Sequence, residues 1–342
     1  MLLAVSLLIF GCSAPPDGGN GNGNDTNGQG STEPVERVKV ALLLVTPIND
    51  GGWSESSYNG FVDAQNELGF EAAYTESLEL PDMESAIRDY AERDFDIIVM
   101  SSANFSEVAT LVAPDYPDVR FVIINGETAL EPNLANFRPA TVETGFLAGA
   151  AAGLLTESNI IGKIGGSPRP PVQDAFTGFL AGAEYVNPGV NVLTSYLDSW
   201  TDIAKGTEAA IAMIESGADV LLGNASSAGF GVIDAAKNEG IIAVGYITDQ
   251  YEVAPGTIPF SAIQFVGGAV HAGIRAAMTD DFRPESVWVG AAEGLVKMSP
   301  FYDIYGEPVP QEIQDKLAEI YQGLVDGSLE AQGILPESGF AD

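Results

Sequence analysis

Two α/β lobes, each built on a doubly wound parallel sheet, are what this sequence predicts. Three observations carry that expectation. The chain has 342 residues, too long for one small core and about right for two. From Val38 onward, short apolar runs alternate with amphipathic stretches, the pattern of strands buried on both faces with helices between them. The order also repeats. Asp96 opens the apolar run "FDIIVMSS" and Asp219 opens "ADVLLGNAS", with Ala113 and Ala236 each seventeen residues further on.

Taken in order, "VKVALLLV" reads as a strand and "SESSYNGFVDAQNELG" as a helix closed by Gly69. "FEAAYTES" is a strand, and "DMESAIRDYAERD" a helix with Asp82 expected as its N-cap. "FDIIVMSS", "NFSEVATLVAPDY" and "VRFVIING" continue as strand, helix and strand. The second block runs "IIGKIGG" (strand), "VQDAFTGFLAGAEYVNPG" (holding a helix), "NVLTSYLDSW" (strand) and "DIAKGTEAAIAMIESG" (helix). "ADVLLGNAS", "GFGVIDAAKNEG" and "IIAVGYITD" close it as strand, helix and strand. "GGAVHAGIRAAM" has a helical pattern, and the end of the chain reads as a strand, a Pro-broken loop and a helix, with Trp288 expected to pack in the core or hinge.

Composition removes several classes of function. There are 48 acidic residues against 14 basic ones, a net charge of -34. Nothing in that balance neutralises phosphates, so nucleic acid is not a partner. Basic docking on an anionic membrane is excluded on the same ground. The acidity fits a hydrated surface suited to high salt, or a simple acidic bias. The one cysteine, Cys12, allows no intrachain disulfide and no cysteine-based metal site. The one histidine, His271, lies in a helical pattern away from any nucleophile, where a solvated or helix-packed role is expected. No metal, cofactor or catalytic residue is expected. "NDGG" is one short acidic turn rather than a calcium cage, and "IGKIGGSPRPP" lacks phosphate-loop spacing.

The first residues stand apart. "MLLAVSLLIFGC" is an apolar stretch too short to span a bilayer, without a Lys or Arg before Cys12. It reads as a secretory signal over residues 1–11 whose "IFGC" resembles a lipobox, so that Cys12 becomes a lipidated N-terminus. The Gly/Asn-rich residues 12–36 read as a flexible tether, with a root-mean-square reach of roughly 25–30 Å. The expected location is therefore the extracytoplasmic face of a cell membrane, held by acyl chains.

Ligands of open α/β sheets gather at the carboxyl ends of the strands. Trp53, Ser101, Ser102, Asn104 and Asn125 follow strands of the first lobe, and Trp200 and Asp249 follow strands of the second. If the sheets face each other, these residues meet in one cleft. Trp53, in "TPINDGGWSESSYNG", is then either a ligand platform or an aromatic packed on its own lobe. Arg138 and Arg169 are the arginines near the candidate cleft loops.

The stretches "INDGGWSESSYNGF", "NFRPATVETGFLAGAAAGLLTESNIIGKIGG", "YLDSWTDIAKGTEAAIAMIESGADVL" and "IIAVGYITDQYEVAP" resemble the basic membrane protein family of nucleoside-binding lipoproteins, the purine nucleoside receptor-like substrate-binding proteins of ABC transporters. The resemblance covers roughly Val38 to Ser299. It implies a type I periplasmic-binding-protein fold with three hinge crossings and a ligand closed between two lobes. Residues 37–140 with 258–283 would form the first lobe, and 141–257 with 284–342 the second. It also implies a monomer that delivers a purine nucleoside or base to permease and ATPase subunits.

By the same resemblance, Trp53 and Trp200 sandwich the purine ring, Asp202 completes the second aromatic motif, and Asp249 meets ribose hydroxyls or the base. Asn49 and Asp50 match the polar pair before the first aromatic, and Asn125 a polar position after the fourth strand. Two departures bear on the ligand. Gln264 stands near the place of a family lysine, and Ser54 replaces a common asparagine; the tryptophan after "GG" is similar to that of relatives that take a free base. A sugar-binding protein of the same fold and a nucleoside-sensing receptor are the alternatives, with an enzyme disfavoured.

Overall fold

A computed structural model of the protein describes residues 37–337. The predicted signal, Cys12 and the tether lie outside the described residues. The first lobe begins β1 (Lys39–Leu43), α1 (Trp53–Leu68), β2 (Glu71–Thr75), α2 (Met83–Glu92) and β3 (Ile97–Ser101). It continues with α3 (Ser106–Val112), β4 (Arg120–Ile124) and β5 (Leu134–Pro139). The second comprises α4 (Thr141–Leu155), β6 (Ile160–Gly165), α5 (Pro170–Val186), β7 (Asn191–Tyr196) and α6 (Ile203–Glu215). β8 (Val220–Asn224), α7 (Gly229–Glu239), β9 (Ile242–Ile247) and β10 (Ser261–Gln264) complete its run. The chain then passes through α8 (Val266–Ala277), β11 (Ser286–Val289), β12 (Val296–Met298) and α9 (Gln311–Val325).

The two sheets have matching strand orders, β2-β1-β3-β4-β5-β11 and β7-β6-β8-β9-β10-β12. Every pairing is parallel except β10 with β12. The sequence echo is this shared topology. Asp96 and Asp219 each precede the third strand of their lobe and bind backbone amides there, Asp96 from Lys39 and Asp219 from Glu157 and Ser158. Parallel strands are apolar throughout because both faces are covered. In β1, Val40 and Leu42 face one core cluster while Ala41 and Leu43 face the other, which α2 and α3 line.

Three helix pairs approach closely enough that glycine is the only residue that fits. A Cβ on Gly60 of α1 would lie 2.1 Å from the Gly267 carbonyl oxygen of α8. One on Gly149 of α4 would lie 1.9 Å from that of Phe179 in α5, and one on Gly206 of α6 would lie 2.1 Å from that of Ala228, just before α7. α4 is buried all round, with only Glu143 and Leu154 outside the buried set.

The chain crosses between lobes three times: from β5 to α4, from β10 to α8, and from β11 to β12. This moves two expected boundaries. Residues 261–264, expected in the first lobe, pair with β9 in the second sheet. Residues 286–289, expected in the second lobe, pair with β5 in the first. Backbone pairing decides both assignments, and apolar pattern alone cannot distinguish one sheet from the other.

Smaller expectations also change. The Asp82 side chain does not cap α2; a 3-10 turn over Leu80–Asp82 leads in instead. The helix expected over 104–116 is α3 flanked by single 3-10 turns, the second holding Pro114, whose missing amide proton ends the regular run. Trp288 sits on edge strand β11, 42% exposed, with the Arg138 guanidinium 4.2 Å from its ring centroid. His271 keeps the helix-packed role expected of it, joining α8 to α1 through Glu67 at 2.9 Å.

Candidate functional site

A cavity of about 80 Å³ lies between the carboxyl ends of the two sheets. Gly52 and Trp53, Ser102 to Asn104, and Asn125 reach it after β1, β3 and β4. Arg169, Trp200, Asn224 to Ser226, and Tyr246 with Gln250 reach it from the second lobe. Thr141 and Gln264 stand at two of the crossings and also line it.

Trp53 is the first residue of α1, not a loop residue. Its place is set by Asp50, whose buried carboxylate accepts from the backbone amides of Gly52, Ser54 and Glu55 and from the Thr46 hydroxyl. A carboxylate there satisfies amides that a helix start leaves unpaired and faces the positive end of its dipole. The Trp53 indole Nε1 donates to the Ser101 carbonyl and Oγ, both at 3.0 Å. The ring's polar edge is thus satisfied within its own lobe.

Gly51, just before, adopts φ +65, and a Cβ there would meet the Phe230 ring at 2.3 Å. Its carbonyl accepts from Thr248 Oγ1 at 2.7 Å and Gln250 Nε2 at 3.2 Å, joining the first lobe to the second. The first glycine of "NDGGW" therefore serves both a left-handed turn and a close approach between lobes, whereas a Cβ on Gly52 would meet nothing nearer than 3.9 Å.

Trp200, in the loop after β7, packs its ring where a Cβ on Gly166 would sit, 2.3 Å from Cε3. Its indole N–H makes no hydrogen bond among the described residues.

The structure brings Trp53, Trp200, Ser102, Asn104, Asn125 and Gln264 together around the cavity. Six other sequence-nominated residues do not line it, and one of them, Ser101, is buried behind Trp53 as the acceptor of its N–H. Asn49 is exposed. Asp50 and Ser54 form the buried cap of α1 with Thr46. Asp202 caps α6 by accepting from the Lys205 amide. Asp249 is exposed and accepts from Tyr302, Ser261 and the Tyr251 amide. The turn after β9 presents Gln250 to the cavity in its place.

Sequence pattern does not single out Tyr246 or Gln250. Tyr246 looks like any strand residue, and only three-dimensional placement reveals its role at the cavity. Burial pushes its phenol well above the ordinary range.

Among the described residues four buried side-chain atoms lack a hydrogen bond: the Gln264 amide nitrogen and the Tyr246 hydroxyl belong to cavity-lining residues, and Asn133 Oδ1 and Thr257 Oγ1 lie elsewhere. The Arg169 guanidinium makes no ion pair or hydrogen bond among the described residues. No acidic residue lines this cavity, but Glu79 and Asp198 line an adjoining one of about 600 Å³ that shares Val45, Asn104, Arg169 and Trp200 with it. Among the described residues no group of side chains could hold a metal ion.

Residues 37–326 match the family model of the ABC transporter substrate-binding protein, PnrA-like. The chain belongs to this family. As a PnrA-like chain it shares 28% identity over 321 residues with the transcriptional activator protein med of Bacillus subtilis, covering 94% of each. It shares 28% over 293 residues with a purine-binding protein of Brucella abortus, covering 85% of this chain and 81% of that one. It shares 28% over 316 residues with a protein of Haloferax volcanii provisionally named an ABC transporter glucose-binding protein, covering 91% and 78%. A solved ABC solute-binding protein of Aeropyrum pernix superposes with a TM-score of 0.75 at 22% identity, covering 85% and 92%. The fold is that of type I periplasmic-binding proteins, as the sequence resemblance implied. No helix among the described residues is long and apolar enough to cross a membrane.

Proposed function

We propose that this ABC substrate-binding protein captures a purine base or nucleoside between Trp53 and Trp200 and delivers it to a membrane permease. The observation that carries this reading is the convergence of one tryptophan from each lobe on a cavity rimmed by side-chain amides. Stacking a base on an aromatic contributes about 1–3 kcal/mol with little dependence on the base. Two indoles would supply roughly 2–6 kcal/mol of the ~8 kcal/mol that micromolar binding requires. The amides of Asn104, Asn125, Asn224 and Gln264 can donate and accept, as the edge of a heterocycle demands. The name of the Brucella relative points the same way. Cys12, lipidated at the outer face, would hold the protein beside its permease.

A sugar is the second reading, favoured by the name of the Haloferax relative. Sugar hydroxyls could pair with the rim amides, but the cavity has no carboxylate to provide charge-assisted acceptors. Titration of the full-length protein, stripped of ligand by unfolding and refolding, with purine bases, nucleosides, ribose and glucose separates the two. Purine heat with silence from the sugars is expected; glucose or ribose heat alone would overturn the purine reading.

A further inference from the structure

We propose that Arg169, with Gln264, makes the site selective for 6-oxopurine rings over 6-aminopurine rings; this rests on the purine reading above. The first ground is an uncommitted cation. Arg169 lies at the start of α5, lines the cavity, and has no ion-pair or hydrogen-bond partner among the described residues, in a chain with many more acids than bases. A half-buried guanidinium without a carboxylate in such a chain is available to a ligand.

The second ground is what the cavity lacks. Each carboxylate that the sequence nominates is engaged elsewhere. Asp50 caps α1, Asp202 caps α6, and Asp249 accepts from Tyr302 and Ser261. The third ground is that two cavity-lining residues hold a buried atom without a hydrogen bond among the described residues, the Gln264 amide nitrogen and the Tyr246 hydroxyl. Native proteins seldom leave such groups unpaired, and a ligand is one way they are satisfied.

The chemistry follows from donors and acceptors. A 6-oxopurine presents O6 and N7 side by side as acceptors, the edge that an arginine fork reads bidentately. A 6-aminopurine places two N–H donors at the same corner, against a guanidinium that can only donate. With no carboxylate in the cavity, that amino group has no charged acceptor. The Gln264 amide matches the N1–H and C6=O pair of the oxopurine, accepting from one and donating to the other. Trp53 and Trp200 stack on the ring faces, so selection at the C6 corner falls to the polar rim, where Arg169 is the cation among the lining residues.

The test is titration of hypoxanthine, adenine, inosine and adenosine into the full-length wild type, Arg169→Gln and Arg169→Lys, with thermal melts to show that all three are folded. Wild type is expected to prefer hypoxanthine to adenine, and inosine to adenosine, by at least about tenfold. R169Q is expected to bring each pair within about threefold, and R169K to fall between, because it keeps the charge and loses the fork. Equal binding of oxo- and aminopurines by the wild type, or a preference that survives in R169Q, overturns the proposal while leaving the purine reading intact. Binding of sugars only, with every purine silent, overturns the purine reading itself and this inference with it.

Discussion

The two tryptophan walls of the cleft are built differently. Trp53 opens a helix, its N–H is held by Ser101, and the turn before it is fixed by Asp50 and tied to the opposite lobe through Gly51. Trp200 sits in a loop against Gly166, its N–H without a partner among the described residues. One ring is held at both its backbone and its N–H, and the other keeps an unpaired donor among the described residues. Stacking area alone would treat the walls as equal; their anchoring makes them unequal.

The largest perturbation is to the scaffold that carries Trp200. Gly149→Ala places a methyl 1.9 Å from a backbone oxygen and is expected to cost more than about 3 kcal/mol by denaturant unfolding, since overpacking without room to move exceeds the usual range. A loss under about 1 kcal/mol would show that α4 and α5 can separate freely. Next come the walls themselves. Trp53→Ala and Trp200→Ala are each expected to weaken purine binding by about 5–150-fold, with the Trp53 variant losing more because the anchored ring is the one already in place. Equal losses by titration would dissolve the contrast between the walls.

A third test uses pH at the crossings. Glu143, near the start of α4, accepts from the Ala291 amide beside the β11–β12 crossing. Burial, opposed by that hydrogen bond and aided by Glu293 and Glu330, raises its carboxyl to about 7 from 4.5. The folded state therefore holds a proton that the unfolded chain has released between about pH 4.5 and 7, and stability attributable to this group falls as pH rises through that window. Glu143→Gln is expected to flatten this component and to gain roughly 3 kcal/mol relative to wild type above pH 7. The difference between the two proteins' unfolding free energies at pH 5 and pH 8 checks it, and a pH-independent difference refutes it.

The smallest effects concern the links. Thr248→Val removes one donor to the Gly51 carbonyl, and Ser101→Ala removes one of two acceptors of the Trp53 N–H. Each is expected to weaken binding about fivefold, the worth of one ordinary hydrogen bond of ~1 kcal/mol. An unchanged affinity for S101A would place the anchoring of Trp53 in the Ser101 carbonyl alone.

Sequence pattern revealed most of the scaffold because parallel strands buried on both faces are unbroken apolar runs, and the helices between them are amphipathic. α4 escaped for a physical reason. It is buried all round, so its residues have no polar face and no 3.6-residue rhythm to read. β5, "LANFRP", hid because it carries Asn136 and Arg138, polar residues that are buried in the fold. The place of the tryptophans at the cavity was legible because both follow strands whose carboxyl ends meet there. The acidic candidates were not, since a carboxylate that caps a helix and one that binds a ligand look alike in a string of letters. Only the turn after β9 decides that Gln250, and not Asp249, faces inward.

The backbone-to-backbone helix pairs carry a consequence for how such proteins diversify. Where glycine lets two helices touch, neither can be repacked without moving a whole element, so the lobes tolerate little change inside. The loops at the strand ends bear no such restriction, and every cavity residue outside the crossings lies on or beside one. A lineage could therefore exchange one cargo for another by rewriting a few loop positions while inheriting the chassis intact. That division of labour is compatible with relatives of equal sequence distance whose names give a purine in one case and glucose in another.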